Sequence, residues 1–419
     1  MSEVINVPDG WELRTLKDVT LKISDGIHKT PIYADNSDFY FINGNNLNNG
    51  KIVITENTNC VDESEYNKHK IELNSSTILL SINGTIGNIA FYHNERVVLG
   101  KSAAYLICKD IINKSFLFYL LSSTNIKQSF GLNLTGSTIK NLSIKAIKET
   151  KVLFPPLKEQ EKIAKILSTL DVAIESTQKL IDKEKNIKKG LMNDLLQNGI
   201  DKNGKIRTPQ THKYKDSELG IIPEEWEVKN IEKIADVFGG GTPSRGDEEF
   251  WQNGTIFWAT PSDITAIKNS NYIYDTKEKI TEKALFGSST KILPIGSILL
   301  TSRATIGERK ITKIPICTNQ GFTSLIPKND NGKFIFYLLD KYTNYMYSRA
   351  YGTTFPEISR TEVKNMLVFL PKDENEQKQI TKILNSQDKK IEKEEENLAK
   401  LKELKKGLMN DLLSGKVRV

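Results

Sequence analysis

The chain has 419 residues, too many for one ordinary core, so two or more domains are expected. Its 59 Lys and Arg against 52 Asp and Glu leave a formal charge of +7, a mild surplus that permits polyanionic ligands without pointing to them. Cys60, Cys108 and Cys317 are widely spaced with no C-x-x-C pair, which argues against a disulfide framework or a thiolate zinc site and fits a reducing compartment.

The N-terminal stretch MSEVINVPDGWELRTL lacks a basic-then-apolar signal segment, and no stretch reaches the roughly 18 uncharged apolar residues of a membrane helix. A soluble, cytoplasmic protein is expected. Following the chain, VPDGWEL (residues 7–13) opens a globular region in which ILLSINGTIG (78–87), FLFYLL (116–121) and GSTIKNLSIKAIKETKVLFP (136–155) mark successive elements. A long helical stretch follows, from EQEKIAKILSTLD (159–171) to KKGLMNDLL (188–196). Residues 197–220 are rich in Gly, Asn, Asp and Lys and read as an exposed connector. The same series then returns: IPEEWEV (222–228), ILLTSRATIG (298–307), FIFYLL (334–339), GTTFPEISRTEVKNMLVFLP (352–371), EQKQITKILNSQD (376–388) and a second KKGLMNDLL (405–413). Offsets drift through the globular parts, as loops of unequal length require, but one gapless register covers the helical parts. The chain is therefore read as a tandem duplication of a globular α/β unit followed by a helix.

Within the helices, Ile163, Leu167, Leu170, Ile174, Thr177, Ile181, Glu184, Lys188, Leu191 and Leu195 step by four and three. Ile380, Leu384, Gln387, Ile391, Glu394, Leu398, Leu401, Lys405, Leu408 and Leu412 repeat the stepping. That is a heptad seam. A helix of about 38 residues rises ~57 Å, longer than a domain of ~150 residues is wide, so it needs a partner. Two seams of matching length suggest each other, and an approximate two-fold axis makes the pair antiparallel, with the globular units at opposite ends of a rod. Glu184 and Lys188 are expected to pair across the seam with Glu394 and Lys405.

The run GSTIKNLSIKAIKETKVLFPPLKEQEKIAKILSTLD, repeated as GTTFPEISRTEVKNMLVFLP followed by EQKQITKILNSQD, resembles the junction between recognition domain and helix in the specificity subunits of type I DNA restriction-modification systems. The likeness extends over essentially the whole chain, in the order head, helix, head, helix, although the second copy has LPKDENEQ where the pattern has a form like FPPLKEQ. The resemblance implies target-recognition domains at residues 1–155 and 221–371, a central helix at 156–198, a connector at 199–220 and a C-terminal helix at 372–415. It implies a non-catalytic reader of double-stranded DNA, pseudo-two-fold symmetric, with one half-site per domain. Its partners would be two adenine methyltransferase subunits and, where the system also cuts, two restriction (nuclease-translocase) subunits. The chain itself would hold no cofactor or metal; S-adenosylmethionine, ATP and Mg would belong to the partners.

Base edges call for hydrogen-bonding side chains on loops positioned by strands. The candidates are His28, Lys29, Thr30, Asn43, Asn45, Asn83, Thr85 and Lys101 in the first copy, and Thr242, Ser244, Arg245, Thr260, Ser262, Arg303 and Gln320 in the second. Arg245 and Arg303 suit guanine, and Asn45 or Gln320 suits adenine. The competing explanations are a turn-rich connection for NGNNLNNG, an ordinary turn and helix cap for TPSD, and a surface residue or phosphate contact for His28; Trp11, Trp226, Tyr40, Phe41, Phe257 and Trp258 read as packing residues.

Other classes fit less well. VVLGKS (97–102) lacks the upstream Gly of a phosphate-binding loop, Glu95 standing there. Asp263 with Asp275 and Lys277 imitates a metal-dependent nuclease, but the first copy has no counterpart. No Asn-Pro-Pro-Tyr-like methylation motif is present. A coiled-coil adaptor whose heads bind proteins stays open as the alternative.

Overall fold

The computed structural model describes residues 7–136, 140–352 and 356–419. They fall into two compact units, one made of the described residues up to 177 together with 398–419, the other of those within 178–397.

In the first unit a four-stranded antiparallel sheet runs in the order Thr20–Asp25, Ala103–Cys108, Thr77–Ser81, Ile89–Phe91. Ala103–Cys108 is buried at every position, which explains why AAYLIC reads as an unbroken apolar run instead of an alternation. A second sheet sets Val97–Leu99 parallel to Phe39–Ile42 and adds Cys60–Val61 and Tyr33–Ala34 antiparallel. Glu12–Thr15 pairs with Lys151–Phe154, closing the domain's beginning onto its end. Asn113 caps helix Lys114–Ser122 through the Phe116 amide, and Ser123 ends that helix and caps the next, Thr124–Leu132. Phe116, Leu117, Leu120 and Leu121 share one core with Ile163 and Leu167 of the middle helix (Leu157–Asn198) and Leu412 and Leu413 of the C-terminal helix (Glu374–Leu413).

The second unit repeats this plan. A five-stranded sheet runs Ala235–Gly239, Thr323–Pro327, Ile298–Leu300, Arg309–Thr312, Tyr272–Ile273, and a three-stranded one sets Ile256–Ala259 parallel to Ile316–Thr318 and antiparallel to Glu278–Ile280. Trp226–Asn230 pairs with Leu367–Pro371 as the closing ribbon. Helix Gly332–Lys341 packs with Leu195, Ile380 and Leu384 of the long helices.

Within each unit the long helices run antiparallel. Ascending the middle helix from Asp171 meets Lys405 in the first unit, and from Glu184 to Lys188 meets Lys390 and then Asp388 in the second. On the predicted seam, Ile163, Leu167, Ile181, Leu195, Ile380, Leu384, Ile391, Leu398 and Leu412 are buried. Leu170, Ile174, Leu191, Leu401 and Leu408 are half-buried. The polar pairing differs from the expected one. Glu184 accepts hydrogen bonds from Gln387 (2.7 Å) and Lys390 (2.6 Å), not from Lys405, and Lys188 does not meet Glu394. The register instead places Asp388 opposite Lys188 and Asp171 opposite Lys405, each at 2.5 Å.

This arrangement accounts for the first lysine of the twice-used KKGLMNDLL string. Lys188 and Lys405 are equivalent in the two copies, as are Asp171 and Asp388, so each copy's lysine reaches the other copy's aspartate. The aspartate also accepts from a tyrosine of the adjoining domain: Tyr119 to Asp171 at 2.7 Å and Tyr337 to Asp388 at 2.6 Å. Burial, together with donation to the carboxylate, pushes both phenols well above their ordinary range.

The connector is not exposed throughout, as its composition suggested. Ile200 joins the second core and Arg207 is only 6% exposed. Arg207 grips Glu376 with both terminal nitrogens, and Trp226 donates its indole N–H to the same carboxylate at 3.2 Å. In the first unit Arg418 grips Glu159 at 2.7 and 2.8 Å while Trp11 donates at 3.3 Å. The two arginines end the related strings GKIR (204–207) and GKVR (415–418), a further repeat whose role emerges only from these contacts.

Candidate nucleic-acid interface

Because Phe39–Ile42 and Val97–Leu99 are parallel, their C-terminal ends emerge side by side, and the loops that follow are held together. The segment after Thr20–Asp25 joins them at Gly26, where an added Cβ would lie 2.0 Å from the Leu99 carbonyl oxygen; only glycine allows that approach. Ile27 then bridges to Gly100. Asn43 accepts from the Ser102 hydroxyl at 2.8 Å, Ser102 accepts from the Gly44 amide at 2.9 Å, and the Ile82 amide donates to the Ser102 carbonyl at 2.9 Å. Four segments thus meet at one rim. Lys29, Thr30, Asn45, Thr85 and Lys101 are exposed on it. His28 is exposed too, with its ring Nε2 2.9 Å from Asp25. Asn83 is half-buried, and the Asn43 side chain is committed inward to Ser102.

The second domain builds the same rim from different residues. Gly240 lies where a Cβ would sit 1.9 Å from the Asn319 carbonyl oxygen, and Gly241 donates to Thr318 at 2.8 Å. Asn319 donates to Ala259 at 3.1 Å, and Ser302 donates to Gly321 at 2.8 Å. Ser244, Ser262 and Gln320 are exposed, and Thr242 donates to the Gln320 side-chain oxygen at 2.5 Å. Thr260 caps helix Pro261–Ala266 in a capping box with Asp263.

The two predicted arginines are in different states. Arg245 lies 3.8 Å above the Trp251 ring and places both terminal nitrogens on Glu278, at 2.5 and 2.8 Å. That ion pair raises the arginine's pKa and lowers the glutamate's. Arg303 meets Glu357 through Nε at 2.9 Å. Neither glutamate stands out in the sequence, since each is far from its arginine along the chain.

Asp263 directs one carboxylate oxygen to the Thr260 amide and hydroxyl and the other to the Lys277 amide at 3.1 Å. Its place is that of a cap, and the described residues contain no cluster of three His, Cys, Asp or Glu suited to a metal ion. No helix among them is long and apolar enough to cross a membrane.

The type I restriction modification DNA specificity domain matches residues 8–185 and again 223–403. The chain is 28% identical over 431 aligned positions to a putative type I restriction enzyme MjaX specificity subunit of Methanocaldococcus jannaschii, spanning 100% of this chain and 96% of that protein. Against the MjaIX specificity subunit of the same organism the identity is 41% over 184 residues, 43% of this chain and 41% of that one. In fold it resembles the S subunit of a type I restriction-modification system from M. genitalium, with a TM-score of 0.59 at 17% identity, covering 99% of this chain and 98% of the other. With both copies of the duplication matched, the chain belongs to the type I restriction-modification DNA specificity family.

Proposed function

We propose that this chain is the non-catalytic DNA reader of a type I restriction-modification complex, with each recognition domain reading one half of a two-part sequence. The observation that carries this reading is the pair of rims: the same backbone contacts recur in both domains, while the exposed side chains differ. A shared scaffold with divergent polar loops suits two related surfaces that read two different sequences.

The partners are two copies of one adenine methyltransferase subunit, which bring S-adenosylmethionine; nuclease-translocase subunits, where present, bring ATP and Mg. Support for a twice-used docking face lies in the KKGLMNDLL string. Lys189, Gly190 and Asn193 are exposed and identical to the exposed Lys406, Gly407 and Asn410, and the exposed Lys165, Lys183 and Lys185 likewise recur as the exposed Lys382, Lys400 and Lys402. Packing within the chain does not require that identity.

The test is co-expression of the chain with its cognate methyltransferase and genome-wide mapping of methylated adenines. A single interrupted motif with two unlike halves is expected. A continuous motif, or methylation that does not depend on this chain, overturns the reading.

A further inference from the structure

At the rim of each domain a short ladder of three backbone segments is formed. In the first, Thr135 pairs with Asn141, and Asn141 bridges to Asn83. In the second, Tyr351 pairs with Glu357, and Glu357 bridges to Arg303. Residues directly opposite on neighbouring strands project to the same face, so each ladder lines up three side chains in a row. The alternation is plain from burial: the adjacent Ile82, Leu142, Ser302 and Ile358 are buried, while the row residues are exposed or half-buried. The loops agree as well, with Gly84 at φ 70° and Ala304 at φ 60° in the same place. A left-handed alanine is strained, and the second domain keeps this turn without glycine.

The backbone is thus held constant while its row changes from Thr-Asn-Asn to Tyr-Glu-Arg. We propose that this row is a specificity-determining element of each domain, in which Arg303 reads a guanine and Glu357 is the positioning residue that aims it. The contact of Glu357 is at Arg303 Nε, which leaves the two terminal nitrogens as the fork that matches guanine O6 and N7. Arg245 offers no such fork, since Glu278 occupies both of its terminal nitrogens. In the first domain the neutral amides of Asn83 and Asn141 match adenine N6 and N7 in the same row. The inference rests on the DNA-reading function proposed above and adds to it the positions at which sequence is discriminated.

The experiment uses the full chain with its methyltransferase and compares methylation motifs. Arg303→Ala and Glu357→Gln are each expected to relax the same single base pair of one half-site, with a roughly ten- to hundredfold loss of discrimination there. The other half-site stays strict, and Glu357→Gln melts at the parent's temperature. Glu357→Asp restores part of the discrimination. Asn83→Ala relaxes one position in the opposite half-site. The proposal is overturned if Glu357→Gln reads its half-site as strictly as the parent, or if Arg303→Ala weakens methylation equally at all sequences, which marks a phosphate contact. A parent chain that directs no two-part methylation at all defeats the functional reading itself, a result distinct from a strict parent whose variants stay strict.

Discussion

At the residue scale, the arginine–glutamate–tryptophan clamps show how burial decides the consequence of one contact. Arg207 and Glu376 have side chains only 8% and 7% exposed, whereas Arg418, with the same geometry on Glu159, is 42% exposed. Removing one member of a buried pair strands the other charge, a cost of about 3–5 kcal/mol. Arg207→Ala should therefore lower stability by that order in urea unfolding, and Arg418→Ala should lower it less, because removing an arginine that is itself exposed lets water in to Glu159. The arginine, chiefly by hydrogen bonding, holds the Glu159 carboxyl below its ordinary value of 4.5. The stabilisation from a depressed carboxylate is complete above that value and is lost as pH falls through the lowered one. Acid should accordingly narrow the stability gap between the parent and Arg418→Ala, as followed by thermal melts at descending pH. Residues such as His28 and Lys29 were recognisable as candidates from loop composition alone, but Glu278 and Glu357 were not. A side chain's partner is fixed by what lies beside it in space, and neither glutamate belongs to a local motif.

At the element scale, the two long helices follow one apolar seam but not one polar code. Glu184 meets Gln387 and Lys390, while Leu401 and Leu170 hold the equivalent positions in the duplicate. The polar cluster therefore distinguishes one helix from the other. A homotypic pairing of middle helices would set Glu184 against leucine, a buried carboxylate without a partner. The double variant Glu184→Leu with Gln387→Leu should still fold and should melt at neutral pH at or above the parent, because a well-packed apolar replacement of buried polar groups is neutral or stabilising. It should also lose part of the parent's sensitivity to acid. Lys390, through its hydrogen bond, is the largest cause holding the Glu184 carboxyl below 4.5, so this contribution too is present above that value and fades below it. Melting both proteins from neutral pH down to about pH 3 checks the difference. The helices themselves were legible in sequence because a heptad is a local period. Their exact ion pairs were not, since a shift of one turn between antiparallel helices exchanges every partner without changing the seam.

At the scale of the whole molecule, duplication is the dominant fact. Each copy supplies a lysine to the other copy's Tyr–Asp pair and an arginine to a Trp–Glu pair, so each unit is completed by a segment from the other half of the sequence. A reader of duplex DNA with this mild basic surplus should bind in a salt-dependent way, the affinity falling with a log–log slope of about −0.9 per phosphate neutralised. Titrating salt against the mapped two-part duplex and a random duplex, with the methyltransferase present, should give falling affinity for both and a persistent preference for the mapped site. Loss of the preference at moderate salt would mean that the rims contribute charge without sequence reading.

The amino-acid order alone determined the duplication, the heptad seam and the loops of divergent polarity, because repeats, periods and composition are properties of neighbours along the chain. Tertiary structure alone decided that the connector's Arg207 is a buried clamp, that Arg245 is held end-on by Glu278, and that Arg303 meets Glu357 through Nε. Those outcomes depend on distances between residues tens to hundreds of positions apart, set only once the sheets and the two helices have fixed their registers.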